Sequence, residues 1–177
     1  MKNDYLYSQE NIVVAKSILQ GKLLDYSLRR DDVHRDLQKI EIENLEAIRR
    51  NPNIDFRSSN PMYLPADVHN FDLVILNDII DKLPSPDSLL GRLINADGLV
   101  KPGGAVLIWS TNDWRESRTP RSHWLGDGDG KTQVDDILKR SKGHLELLAS
   151  EETPVFWLES TFKFHGKVFQ VSMWQRK

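Results

Sequence analysis

The sequence contains no cysteine, which excludes disulfides, thiolate metal sites and thiol nucleophiles in one step. Histidine is scarce. Its five positions, His34, His69, His123, His144 and His165, are never three to five residues from one another, so a metal site has no local support and none is expected. No apolar run reaches the length needed to span a bilayer, and Met1-Lys2-Asn3-Asp4-Tyr5-Leu6-Tyr7 lacks the apolar segment of a secretion signal. A cytoplasmic protein with no membrane partner is therefore expected. Neither sign of charge dominates, since 24 Lys and Arg against 26 Asp and Glu leave a net charge of −2. Without a basic footprint, nucleic acid is not an expected partner. Glycine forms no Gly-x-Gly near the N terminus. The one such string, Gly126-Asp127-Gly128-Asp129-Gly130, has no strand-turn-helix context and reads as a flexible tip.

What is present points to an α/β sheet. A chain of 177 residues with 39% apolar residues fits one domain, residues 1–177, around one core. Phe71–Leu76 and Leu99–Trp109 are nearly continuous apolar runs of strand length. Such runs belong to strands covered on both faces, as in a parallel sheet between helices. Between them, Leu89, Leu90, Leu93 and Ile94 form one helical stripe after Pro86-Asp87, giving a strand-helix-strand unit. Lys101-Pro102-Gly103-Gly104 breaks the chain ahead of the second strand, because proline fixes φ and glycine accepts angles other residues avoid.

Around this centre, residues 8–20 read as a capped amphipathic helix closed by Gly21, and Leu24, Tyr26 and Leu28 as a short strand or extended arm. The apolar spacing from Asp31 to Arg50 predicts a mostly solvated helix ended by Asn51-Pro52, followed by a brief strand at Ile54–Arg57. Residues 110–131 form a loop long enough to be a lid or binding segment. Thr132 is expected to cap the next helix, and His144–Ala149 to form a strand. Val155–Phe164 and Lys167–Gln175 are expected as two long strands around His165-Gly166.

The order Phe71-Asp72-Leu73-Val74, an Asp-rich turn, then Leu99-Val100-Lys101-Pro102-Gly103-Gly104 resembles the second half of a class I S-adenosylmethionine-dependent methyltransferase. In that family the fourth strand commonly opens with Phe-Asp and the fifth follows a Lys/Arg-Pro-Gly-Gly turn. Three further stretches carry a narrower resemblance: Asp78-Ile79-Ile80-Asp81-Lys82-Leu83-Pro84, Thr119-Pro120-Arg121-Ser122-His123-Trp124-Leu125-Gly126, and Phe164 through Trp174-Gln175-Arg176. They are similar to the methyltransferase domain of ovothiol biosynthesis, the 5-thiohistidine (4-mercaptohistidine) N-methyltransferase. The middle string has no generic structural reason to recur.

The resemblance implies a Rossmann-like α/β sheet, mostly parallel, with a C-terminal antiparallel strand pair and with the N-terminal strands absent. It implies S-adenosylmethionine as cofactor and a thiohistidine-like small molecule as substrate. Asn60, Asn77 and Asp78 fall where the cofactor is held. Asp81, Arg118, Arg121, Trp124 and Glu159 fall where the substrate is met, with the arginines facing its carboxylate and Trp124 its ring; no catalytic residue is singled out. The family's N-terminal glycine turn has no counterpart here. Phe71–Leu76 is thus expected to keep an unpaired apolar edge, to be completed by a missing N-terminal segment or a partner chain. Two other functions remain open: a noncatalytic α/β module that binds a protein, and a methyltransferase for another small molecule.

Overall fold

The computed structural model describes residues 9–20, 25–29, 33–39, 54–160 and 163–177. The chain divides into two compact units, Met1–Asn60 with Phe156–His165, and Pro61–Val155 with Gly166–Lys177.

In the first unit, helix α1 spans Gln9–Leu19, as the capped amphipathic pattern predicts. Strands β1 (Asp25–Arg29) and β2 (Arg35–Lys39) pair antiparallel, from Asp25 opposite Lys39 to Arg29 opposite Arg35. Strand β2 corrects the helix expected from Asp31 to Arg50; residues 31–32 and 40–50 of that stretch lie outside the described residues. The apolar spacing misled because it buries nothing there: Val33 is 83% and Leu37 73% exposed. Local pairing with β1 decides the conformation instead. Residues 54–60 are irregular, so the brief strand expected at Ile54–Arg57 does not form.

The second unit is built on β3 (Phe71–Asn77), α2 (Pro86–Ile94) and β4 (Val100–Ser110), with β3 and β4 parallel. Proline at the first position suits α2, because the missing N–H has no helical partner there. Leu89, Leu90 and Leu93 on its inner face are at most 2% exposed. Each such burial stabilises by about 1.5–3 kcal/mol. The Lys101–Gly104 turn lies within β4 as an irregularity: Phe71 pairs with Val100, and pairing resumes only at Leu73 and Ala105. Gly103 takes φ +77° there, a conformation glycine accepts without a Cβ clash.

Helix α3 spans Gly130–Arg140. Its cap is Asp129, whose carboxylate accepts from the Thr132 backbone N–H at 2.9 Å, so the capping role falls three residues ahead of Thr132. Strands β5 (Leu145–Ser160) and β6 (Lys163–Arg176) complete a four-stranded sheet of order β3-β4-β6-β5. The strands expected at His144–Ala149 and Val155–Phe164 are thus largely one, and His165-Gly166 lie within β6 rather than between the two strands. Pro154 is tolerated within β5 because β5 is an edge strand.

The sheet is mixed, not mostly parallel. Strand β6 returns directly from β5 and enters beside β4 antiparallel, with Ala105 opposite Gln175 and Ser110 opposite Gln170. Along β4, Val106, Ile108 and Ser110 are buried, and the amide of Gln133 on α3 donates to Ser110 Oγ at 3.1 Å. Trp174 of β6 is fully buried on the same core. The alternate residues fare differently: Phe71 is 45%, Leu73 49%, Ile75 56% and Met173 38% exposed. β3 is the outer strand and pairs only with β4, so the open apolar edge foreseen at Phe71–Leu76 is present among the described residues.

Candidate functional site

In an open α/β sheet, ligands meet the carboxyl ends of parallel strands. Here those ends are Asn77 and Ser110, and the loops leaving them meet. Asp78, just past β3, takes φ 51°, and Asn112, just past β4, takes φ 53°. Asp and Asn are the side chains that tolerate this left-handed region, at about 1–2 kcal/mol. Two such residues on adjacent loops are the kind of local strain that collects at functional sites.

The two loops are joined by carboxylates. Asp81 sits in a short 3-10 turn, Ile80–Lys82, and is fully buried. It accepts from the Thr111 hydroxyl at 3.1 Å and the Asp113 backbone N–H at 2.9 Å, and it pairs with Lys82 at 3.3 Å. Asp78 Oδ1 lies 3.1 Å from the same Thr111 hydroxyl, whose single proton the two acids share, and Asp78 pairs with Lys82 at 2.5 Å and has Lys167 of β6 at 4.0 Å. Asp113 faces outward and is hydrogen-bonded by Arg115, at 3.2 Å through Nε and 2.8 Å through Nη2. Those bonds, with the charges of Arg115, Arg118 and Lys167, hold its carboxyl below the usual carboxylate range. The ends of β3 and β4 therefore carry a ring of acids and cations with Asp81 as its inner clamp.

The string Thr119–Gly126 folds against the turn after β3. Buried Thr119 donates to the Leu83 carbonyl at 2.6 Å, and the His123 ring meets the Pro84 carbonyl at 3.2 Å through Nδ1. The Trp124 indole donates to the Thr119 carbonyl at 2.9 Å and stacks on buried Trp114, centroids 6.2 Å apart. Leu125 is fully buried, and Gly126 takes φ +74°. Most of this string thus has a packing role, which revises the view that nothing structural would preserve it. Arg121 is the remainder: it is exposed, with its guanidinium 5.6 Å from the Trp124 ring centroid.

Beside it, a cavity of about 370 Å³ opens between this loop and α3, lined by Arg121, Trp124, Asp127, Asp136 and Arg140 among others. Arg140 holds its wall together: Nη1 donates to both Asp87 oxygens at 3.0 and 2.9 Å, and Nη2 to the Trp124 carbonyl at 2.6 Å. Asp136 accepts from the Gly126 N–H at 2.9 Å and lies 3.4 Å from Arg140.

The residues singled out from sequence are thereby distributed. Asn77 is exposed at the end of β3, beside Asp78 and near Asp81. Arg118 is half-buried and lies close enough to act on the Asp113 carboxyl, whereas Arg121 stands over Trp124 at the cavity. The two arginines thus serve different places. Asn60 and Glu159 fall in the first unit, Asn60 in the irregular segment ahead of Pro61 and Glu159 near the end of β5. Sequence reasoning passed over Lys82, Thr111, Asp113 and Lys167. The signal for Thr111 and Asp113 was their place just beyond an apolar parallel strand. Among the described residues no group of three or more His, Asp or Glu could hold a metal, and no helix is long and apolar enough to cross a membrane.

No protein-family model matches the chain, and no curated protein matches it. Among solved structures it is similar to one described by the conversion of a disulfide bond into a thioacetal group during echinomycin biosynthesis. The identity is 14% and the TM-score 0.49, over 69% of this chain and 55% of the other. It is also similar to a 16S rRNA (adenine(1408)-N(1))-methyltransferase from Catenulisporales acidiphilia, at 18% identity and TM-score 0.43, over 67% of this chain and 57% of that one. The chain spans little more than half the length of either. At these values the likeness carries no argument about chemistry, which has to come from the chain's own residues.

Proposed function

We propose that the chain is an S-adenosylmethionine-dependent N-methyltransferase domain acting on the imidazole of a 5-thiohistidine-like small molecule. The observation that carries this reading is the pair of left-handed residues, Asp78 and Asn112, at the carboxyl ends of adjacent parallel strands, tied through Thr111 and Asp81. The family-like strings leading into and out of those strands support it.

The methyl donor, when bound, supplies the electrophilic carbon, so the protein has chiefly to hold and orient the acceptor. Asn77 and Asp78, at the carboxyl end of β3, are the proposed donor contacts of the second unit. Asn60, in the first unit, stays a candidate from the resemblance alone. Among the described residues no glycine turn presents backbone donors beside β3, so the donor side is supplied only in part and donor affinity is low. Arg121 and Trp124 are the candidates for the acceptor side, a cationic fork for a carboxylate and an indole wall for a flat ring, whereas Arg118, beside Asp113, stays a candidate from the resemblance alone. Asp81 is spent on Thr111, Asp113 and Lys82, so it positions the loop after β4 rather than touching the acceptor. Glu159, in the first unit, stays a candidate from the resemblance alone. A neutral imidazole nitrogen is itself the nucleophile, which makes a general base optional.

The test is incubation of the purified chain with S-adenosylmethionine and 5-thiohistidine, followed by mass spectrometry. The reading expects a product one methyl group heavier, with a rate rising in proportion to donor concentration. No product at any donor concentration would remove it. A second reading, a protein-binding α/β module, is favoured by one observation: the exposed Phe71, Leu73 and Ile75 on the open strand. Absence of methyl transfer together with capture of a partner chain along β3 would select it.

A further inference from the structure

Residues 110–113 leave β4 held alternately from two sides. Thr111 and Asp113 are tied to the acids after β3, where fully buried Asp81 meets the Thr111 hydroxyl and the Asp113 N–H. Ser110 and Asn112 are tied to α3 instead. Ser110 Oγ, on a residue that is also fully buried, accepts from the Gln133 side-chain amide at 3.1 Å and from the Asn112 backbone N–H at 3.1 Å. The Ser110 hydroxyl in turn lies 3.5 Å from Asn112 Oδ1. One side chain of α3 thus reaches, through one hydroxyl, the residue that carries the left-handed backbone at the mouth of β4, φ 53°.

Packing alone does not account for Gln133. It lies on the inner face of α3 with Val134 and Ile137, is fully buried, and its Oε1 has no hydrogen-bond partner among the described residues. An apolar side chain of similar length would bury there without that cost, since a polar group taken from water with only part of its hydrogen bonds remade is destabilising. The amide nitrogen, in contrast, has a definite partner in Ser110. Unrelieved polarity on an otherwise apolar stripe is the mark of a residue kept for function. The turn that carries it is also held from outside: Gly126 lies so close that an added Cβ would come 2.5 Å from the Gln133 backbone nitrogen. The other end of this chain of contacts is open. Asn112 is half-buried, and its side-chain nitrogen, which makes no hydrogen bond among the described residues, offers a donor at the carboxyl end of β4.

We propose that Gln133 is a positioning residue of this site: through Ser110 it fixes the backbone of Asn112, and with it the carboxamide that Asn112 presents to a ligand. The inference rests on the methyl-transfer reading only for the reaction that Asn112 serves. The first measurement is amide hydrogen exchange of the full chain, with no ligand present. In Gln133→Met the Asn112 N–H should exchange about tenfold or more faster than in the parent. The amides of Val106 and Ile108 and the melting temperature should stay near the parent's, because the lost amide takes its unpartnered oxygen with it. The second measurement is the rate of methyl transfer to 5-thiohistidine. Gln133→Met and Asn112→Gly, the latter keeping the same φ without a carboxamide, should each lower that rate about tenfold. The double variant should be no slower than Asn112→Gly alone, since Gln133 acts only through Asn112. Should Gln133→Met fail to fold, Gln133→Leu removes the same amide and should give the same results. Unchanged exchange at Asn112, or rate losses that multiply in the double variant, overturns the proposal. A parent that transfers no methyl group, but whose Asn112 exchange responds to Gln133→Met, keeps the positioning role and removes the methyltransferase reading.

Discussion

The Thr111 hydroxyl lies 3.1 Å from Asp81 Oδ2 and 3.1 Å from Asp78 Oδ1, so one side chain after β4 bridges both acids that follow β3. Asp81 is the inner of the two and has no exposed surface. Asp81→Ala leaves the Asp113 N–H without its acceptor and Lys82, only 15% exposed, without its inner partner. Breaking such a buried pair costs about 3–5 kcal/mol. Thr111→Val removes one neutral donor and should cost about 1 kcal/mol. Urea unfolding should show the larger shift in midpoint for Asp81→Ala, at unchanged slope.

The open strand gives a contrast between neighbours. Ile75 is 56% exposed and Leu76 7%. Ile75→Lys should leave thermal stability within about 0.5 kcal/mol of the parent while lowering self-association in sedimentation, since an edge lysine blocks strand addition. Leu76→Lys, one residue along, places a charge in the core and should unfold the domain. Similar behaviour of both would contradict the assigned facing of β3.

Two of the carboxyls held low contribute to the acid limit of the second unit's loops. Asp113 is held low by the Arg115 hydrogen bonds, and Asp129 by the Thr132 backbone bond and then the Thr132 hydroxyl. Because both folded values lie below the unfolded ones, their stabilisation is present in full above the unfolded value, about 4, and is lost as pH falls through the folded values. Thermal melts should therefore drop on acidification below pH of about 4, and the drop should shrink in the Asp113→Asn and Asp129→Asn double variant. An unchanged acid limb in that variant would separate these residues from it.

Glycines at 126 and 128 both take positive φ, +74° and +94°, yet differ in surroundings. A Cβ at Gly128 meets nothing within 4 Å, whereas one at Gly126 strikes backbone of α3. Gly128→Ala should cost about 1 kcal/mol from backbone strain alone. Gly126→Ala should cost clearly more, because its Cβ strikes Thr132 and Gln133 of α3. Equal melting temperatures for the two would remove the packing argument.

How far the sequence discloses all this depends on what signals it contains. The β3-α2-β4 unit is legible because Phe71–Leu76 and Leu99–Trp109 are apolar on both faces and the leucines of α2 fall on one stripe. Strand β2 is not, because Leu37 follows helical spacing while remaining exposed, so periodicity there reports nothing about burial. The hairpin of β5 and β6 is legible as antiparallel but not in length, since Pro154 reads as a break and an edge strand tolerates it. In the site, Asn77, Asp78 and Asp81 are findable from their place after β3. Which acid turns inward is not: Asp78, Asp81 and Asp113 look alike until Thr111 and Lys82 are placed between them. Arg118 and Arg121 likewise look like a pair, yet folding sends one toward Asp113 and the other over Trp124.

The most direct measurement is mass spectrometry of 5-thiohistidine after incubation with the purified chain and a range of S-adenosylmethionine concentrations. The account predicts a singly methylated product whose rate rises in proportion to donor, without a plateau. Unmodified 5-thiohistidine throughout, from a protein shown to be folded by its thermal transition, would contradict it.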